Sequence, residues 1–262
     1  MTGRLRINRR RFLTLTGAGA GSLLLAGCDA WSSGNSGVRP VLRGVENLTE
    51  AAQRLFLSEQ TLAREYSEAD ISAYFRANGN TTARDSAYDA LKRLDFADYR
   101  LPVTGLVDTP LSLSLADLRG MEARTQITRH DCVEGWSCIG KWKGPQLGPI
   151  LLEAGLQPDA RYVVFRCFDD FGNTLSGRVY YYESLALEDC FHPQTILAYE
   201  MNDEVLPEPH GAPLRLRVER QLGYKHAKYL KSIEVVSTLS GINGGFGGYY
   251  EDRDGYEWYA GI

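Results

Sequence analysis

The chain has 262 residues, with 29 Lys and Arg against 33 Asp and Glu for a net charge of −4, 11% aromatic residues and 24% charged residues. That balance is ordinary for a folded globular protein and excludes a disordered chain. The acidic net charge also argues against a non-specific nucleic-acid binder, which needs basic patches to neutralise phosphates.

Residues 1–27 read as a targeting segment and stand apart from the fold. Asn8-Arg9-Arg10-Arg11-Phe12-Leu13 resembles the twin-arginine export consensus, with Arg9 and Arg10 as the pair. The apolar stretch from Phe12 to Gly27 is about 16 residues, short of the roughly 20 that span a bilayer as a helix. It ends in Leu25-Ala26-Gly27-Cys28, similar to a bacterial lipobox, which would make Cys28 the lipidated first residue of the mature chain. The other reading of this segment is an uncleaved anchor or an ordinary N-terminal helix. Its removal takes away five arginines and no acids, so the net charge moves from −4 to −9. Cargo of the twin-arginine route crosses folded, often with a cofactor already in place. The expected location is therefore the periplasmic face of the bacterial cytoplasmic membrane.

Residues 28–45, rich in Ser, Gly and Asn before Val38-Arg39-Pro40, read as a flexible tether, and residues 46–262 as one domain. Thr49 is placed to cap a helix carrying Ala51, Ala52, Leu55 and Phe56 at helical spacing. Residues 70–80 end in turn formers and read as a loop. Strands are expected at Leu101–Val107 and Thr125–Thr128, then a turn at Trp142-Lys143-Gly144 and a short helix at Leu147–Ala154. Tyr162–Phe165, Val179–Tyr182, Leu197–Met201, Leu214–Val218 and Ser232–Val236 supply further strands. Strands separated by short helices and long irregular loops predict an α+β fold of mixed sheets rather than a doubly wound one. No GxGxxG, P-loop or HExxH motif is present.

Cys132 lies between His130-Asp131 and Val133-Glu134-Gly135-Trp136, not inside an apolar run as a packing cysteine would. A lone thiolate so placed is a candidate nucleophile or soft metal ligand. Cys138, Cys167 and Cys190 do not space like a disulfide scaffold and are expected buried or partly paired. From His210 to Lys231 the chain holds Arg215, Arg217, Arg220, Lys225, Lys228 and Lys231, with Glu219 as the only acid. Such a segment suits an anion, with Gly211 and Gly223 allowing close backbone approach; the plain alternative is a solvated charged face on a strand pair.

His210-Gly211-Ala212-Pro213-Leu214-Arg215-Leu216 and Leu222-Gly223-Tyr224-Lys225-His226-Ala227-Lys228 resemble the molybdopterin-binding segment of the sulfite oxidase family. Within it they are most similar to the branch holding the periplasmic methionine sulfoxide reductase catalytic subunit. Cys132-Val133-Glu134-Gly135-Trp136-Ser137 resembles that branch's ligand-cysteine motif, and Leu197–Pro207 its strand–turn ahead of the phosphate site. The resemblance implies the sulfite oxidase fold and a molybdenum–molybdopterin cofactor. It makes Cys132 the metal ligand and catalytic centre, with cofactor contacts from Asn78, Cys167, His210, Arg215, His226, Ala227 and Lys228. Soft thiolate suits molybdenum and Arg/Lys suits phosphate. One departure bears on substrate. Sulfite oxidases follow the ligand cysteine with basic residues, whereas Glu134 stands here, so reduction of a neutral S-oxide or N-oxide by two-electron oxygen-atom transfer is expected over sulfite oxidation. No CxxCH haem site is present, so electrons are expected from a membrane cytochrome or quinone-linked partner, with the lipid anchor keeping the enzyme near it. Two rivals stand beside this reading: a non-catalytic binding lipoprotein retaining the fold, and a zinc hydrolase using His130 and Cys132.

Overall fold

Strands dominate from Arg100 onward, where β-branched and aromatic residues alternate between glycine-marked turns. The computed structural model describes residues 61–174 and 177–262, within the compact unit Gln53–Ile262. The export segment, Cys28, the tether and the helix expected from Thr49 lie outside the described residues.

Three sheets form among the described residues. The largest joins β1 (Arg100–Gly105), β2 (Leu111–Ser114), β5 (Tyr162–Thr174), β6 (Gly177–Ala186) and β11 (Leu230–Val236) in the order β2-β1-β11-β5-β6. Its pairings are antiparallel except β1 with β11, which run parallel with Val103 opposite Ile233. A second sheet joins β3 (Ala123–Asp131), β4 (Ser137–Pro145), β8 (Glu200–Met201) and β9 (Glu204–Val205). β7 (Thr195–Ala198) and β10 (Arg215–Val218) pair as the third, antiparallel with Leu197 opposite Leu216. With five short α-helices among the described residues, this is the α+β architecture expected.

The helices show why these segments stop where they do. α1 (Ser86–Arg93) starts at Asp85, whose carboxylate accepts from the Ala87 and Tyr88 amides at 2.9 and 3.0 Å. α2 (Leu115–Gly120) starts at Ser114 in a capping box with Asp117. α3 (Leu147–Ala154) buries Leu147, Ile150, Leu151 and Ala154 on one stripe and ends at Gly155, φ 71°. Each large apolar side chain of that stripe gains about 1.5–3 kcal/mol on burial. α4 (Leu187–Cys190) and α5 (Tyr249–Arg253) are short connectors.

Asp85 also accepts from the Tyr180 hydroxyl at 2.8 Å, tying α1 to β6. Burial pushes its carboxyl up, but the Tyr88 amide, the Tyr180 hydroxyl and the Ala87 amide outweigh that and hold it below the usual range. A depressed folded pKa stabilises the fold above the unfolded value and is lost as pH falls through the folded one. Asp85→Ala is therefore expected to cost about 1–2 kcal/mol at pH 7, with the gap to wild type closing below about pH 4. Urea melts at the two pH values check this; an equal gap at both would refute it.

β3 and β4 form a nine-residue hairpin in register from Ala123–Pro145 to Asp131–Ser137. The buried face of β3 is polar: Gln126, Thr128 and His130 point inward. They meet β10, which alternates Arg215 and Arg217 toward this layer with Leu216 and Val218 in the main core. Trp142 lies under both guanidinium groups at 5.0 and 4.3 Å. The basic segment is thus not a solvated face, since Arg215, Arg217 and Lys225 are fully buried.

Three expectations change here. Trp142-Lys143-Gly144 is strand, not turn; glycine at 144 lets β4 pass Leu197, whose carbonyl oxygen would lie 1.9 Å from any Cβ. Leu197–Met201 is broken at Tyr199 into β7 and β8, which join different sheets. Of the cysteines expected buried or partly paired, Cys167 and Cys190 are buried and free as that expectation allowed, and only Cys138 departs, free and half-buried on β4.

Candidate functional site

The hairpin tip carries Cys132. The five residues between β3 and β4 fold back through Cys132 N–H donating to the Trp136 carbonyl at 2.9 Å and Gly135 N–H to the Cys132 carbonyl at 3.0 Å. Gly135 supplies the left-handed turn, φ 84°. Cys132 lines a cavity of about 120 Å³ whose walls include Asn78, Glu134, Asp169, His226 and Lys228. Burial pushes the Cys132 thiol up, and Glu134 adds to this while the loop amides and Arg76 oppose it. The Glu134 carboxylate accepts from Trp136 Nε1 at 2.9 Å and meets Arg76 at 3.7 Å, with more than half of both ionic side chains in water.

Behind the cavity lies a dry basic cluster. Lys228 Nζ donates to the carbonyls of Asn78, Asn80 and Pro209 at 2.6, 2.5 and 3.0 Å, which uses all three of its hydrogens. Arg215 donates to the carbonyls of His210 and His226 at 2.9 and 3.3 Å. Gly211, φ 109°, lets this loop close on Lys228, whose Cβ would lie 2.9 Å from a Cβ at 211. Burial first, then neighbouring cations, lowers every base here: Lys228 to about 7, Arg215 to about 9, His210 to about 4, and His130 and His226 well below the ordinary histidine range. The histidines are neutral and the cations under-compensated, so a bound anion would be strongly favoured.

Residues 88–241 match the family described as oxidoreductase molybdopterin binding domain. The chain belongs to that family. It is 34% identical over 97% of its length to an Azospira oryzae protein provisionally named protein-methionine-sulfoxide reductase subunit YedZ1, covering 87% of that relative. It is 33% identical to the Xanthomonas campestris protein-methionine-sulfoxide reductase catalytic subunit MsrP over 65% of this chain, spanning about half (55%) of that relative. Among solved structures, the sulfane dehydrogenase SoxCD of Paracoccus pantotrophus aligns with TM-score 0.48 and 22% identity over 60% of this chain and 41% of its own.

For a molybdopterin-binding oxidoreductase the site offers the right unspent groups. Asn78 Oδ1, His210 Nδ1, Arg215 Nε and His226 Nδ1 are four of the nine buried polar atoms without a protein partner among the described residues, and all four residues are ones the sequence resemblance assigned to the cofactor. Buried polar atoms are normally satisfied, so this convergence fits a ligand rich in hydrogen-bonding groups and phosphate. Ala227 contributes backbone only: its carbonyl accepts from Leu216 N–H at 2.8 Å while its side chain is in the core. Cys167 stands apart from the Cys132 cavity. It is buried, its thiol held well above the ordinary range by burial and then by Asp169 and Glu183, and it borders an adjoining cavity of about 790 Å³ that shares Phe171 and Tyr181 with the smaller one.

His130 Nδ1 lies 3.0 Å from Arg217 Nη1, so one of its two ring nitrogens is engaged. No group of three or more His, Cys, Asp or Glu side chains converges as a metal site among the described residues. The zinc reading thus finds no ligand set here. Sequence reasoning gave no site role to Asp169 or Glu219, and counted Arg217 only as one cation of the anion-suited segment. The Asp169-Asp170 pair between Phe168 and Phe171 was the signal available for the first.

Proposed function

We propose that this chain reduces an S-oxide or N-oxide by two-electron oxygen-atom transfer, with Cys132 as the protein ligand to a pterin-bound molybdenum. The observation that carries the reading is the meeting of Cys132, Asn78, His226 and Lys228 on one cavity in a chain of this family. Arg215, through its unpartnered Nε–H, and His210 would hold the pterin and its phosphate by hydrogen bonds, and Lys228 would add its charge. The bound group supplies the redox chemistry. The chain's own residues bind, orient and screen: Phe171, Tyr181 and Tyr224 narrow the cavity, and Lys228 keeps the Asn78 loop against the basic segment. Glu134 on the cavity wall disfavours a dianion such as sulfite and leaves a neutral oxide the better substrate. The names of the two relatives point to an S-oxide of methionine.

In this reading residues 46–262 act at the periplasmic face of the membrane after twin-arginine export, tethered through residues 28–45 and a lipid on Cys28. Electrons come from a membrane cytochrome or quinone-linked partner. Protein purified after native export is expected to carry about one molybdenum per chain and to reduce methyl sulfoxides with reduced viologen as donor. Zinc or no metal in that protein, or sulfite oxidation without oxide reduction, would overturn the reading.

A further inference from the structure

We propose that Asp169 is the proton donor of this site, delivering a proton to the oxygen released from the oxide as it leaves as water. The inference rests on the oxide-reduction reading above. Converting a sulfoxide to its sulfide breaks the S–O bond, consumes two electrons and two protons, and releases one water. The external donor, reduced viologen in an assay, supplies the electrons; the first proton has to be at hand in the cavity, and solvent supplies the second.

The cavity wall narrows the choice. Lys228 has no hydrogen left to give, since its three point at the carbonyls of Asn78, Asn80 and Pro209. His226 is neutral and its Nε2 is 3.0 Å from the Gln221 carbonyl, which makes that nitrogen the N–H donor and leaves Nδ1 bare. Burial lifts the Tyr181 and Tyr224 hydroxyls far above neutrality, and both are spent on the carbonyls of Tyr224 and Glu257. Glu134 faces water.

Asp169 differs from all of these. It is only 4% exposed, on the same cavity as Cys132. Asn80 Nδ2 donates to its Oδ1 at 2.8 Å, which fixes the carboxyl and leaves the proton to Oδ2. Among the described residues no hydrogen bond to Oδ2 is present. Its electrostatic surroundings are Lys228 and Arg84, which favour the anion, Asp170 and Cys167 on its own strand, and the hydroxyls of Tyr88, Tyr229 and Tyr250. Burial outweighs the Asn80 hydrogen bond and the two cations and raises the carboxyl to about 6. A donor works best with a pKa near the operating pH. An anion held at Arg215 and Lys228 would offset the Lys228 charge and raise it further.

The test compares holoenzyme of wild type, Asp169→Asn and Asp169→Glu with reduced viologen and a methyl sulfoxide. Asparagine keeps an oxygen for Asn80, so molybdenum and pterin content are expected unchanged. Wild-type kcat should fall as pH rises through the donor's pKa; Asp169→Asn should lose at least about tenfold in kcat at pH 7 with KM within about twofold, and lose that alkaline limb. Asp169→Glu should regain part of the rate and the limb. An infrared carboxyl C=O band titrating near neutrality is expected in wild type and absent from Asp169→Asn. An Asn variant with wild-type kcat and pH profile, or one whose activity loss tracks pterin loss, overturns the donor role. Wild-type enzyme that reduces no oxide overturns the functional reading itself, and the donor role with it.

Discussion

Cys132→Ser is expected to abolish oxide reduction, by at least about 10³-fold, while leaving the protein folded. The two halves of that result have separate causes. The loop is held by backbone hydrogen bonds from Cys132 and Gly135, none of which uses the thiol, and Cys132 forms no disulfide. Serine therefore fits, and the melting temperature should move by no more than about 2 °C. A hydroxyl, however, is a hard and weakly acidic group, a poor substitute for thiolate on a soft metal. Burial keeps the Cys132 thiol protonated in the absence of a cation, so a bound metal would have to displace that proton. Turnover, molybdenum content and melting temperature measured on one preparation check the claim. A serine variant keeping more than about a tenth of wild-type turnover would remove Cys132 from the centre of the chemistry.

Arg217→Met should be the most damaging single change to stability among these sites. Arg217 and Glu219 are joined by two hydrogen bonds of 2.8 and 2.6 Å, and neither side chain has any exposure. Gln126 Nε2 adds a third contact to Glu219 at 2.9 Å, and Arg217 also reaches His130 at 3.0 Å. Removing the cation strands a buried carboxylate, a loss of about 3–5 kcal/mol. For a domain of this size that is a fall of about 6–20 °C in melting temperature. The double variant Arg217→Met/Glu219→Leu should recover more than half of the loss, because a buried pair replaced together by apolar groups is close to neutral. Denaturant melts of the singles and the double decide it. A single-variant loss under about 1 kcal/mol would show that water reaches Glu219.

Legibility followed local chemistry. α3 was read to the residue because its apolar stripe at 147, 150, 151 and 154 repeats at helical spacing before Gly155. Strands β5, β6, β10 and β11 were located because apolar residues alternate or cluster there, although β5 runs to Thr174, well past the apolar Tyr162–Phe165. α1 went unread because Tyr88 is its only buried residue, so it has a cap but no stripe. Trp142-Lys143-Gly144 of β4 read as a turn because its glycine serves a backbone crossing that no local pattern records. At the site, Cys132 was conspicuous from its charged neighbours. Asp169 was not, since a carboxylate in a strand looks like any exposed acid until its burial is known.

The sequence alone determined which chemistry is available: a thiol outside any apolar run, a cluster of cations from His210 to Lys231, and motifs that name the family. Those are properties of residue type and spacing, and they survive without coordinates. Only the tertiary structure decided what that chemistry faces. β10 turns Arg215 and Arg217 inward against the polar face of β3, the hairpin tip brings Cys132 to a wall shared with Lys228, and β5 sets Asp169 on that same wall. Burial, partner and desolvation are set by contacts between residues tens of positions apart. They decide whether a charge is a solvated surface group or an unspent donor aimed at a ligand.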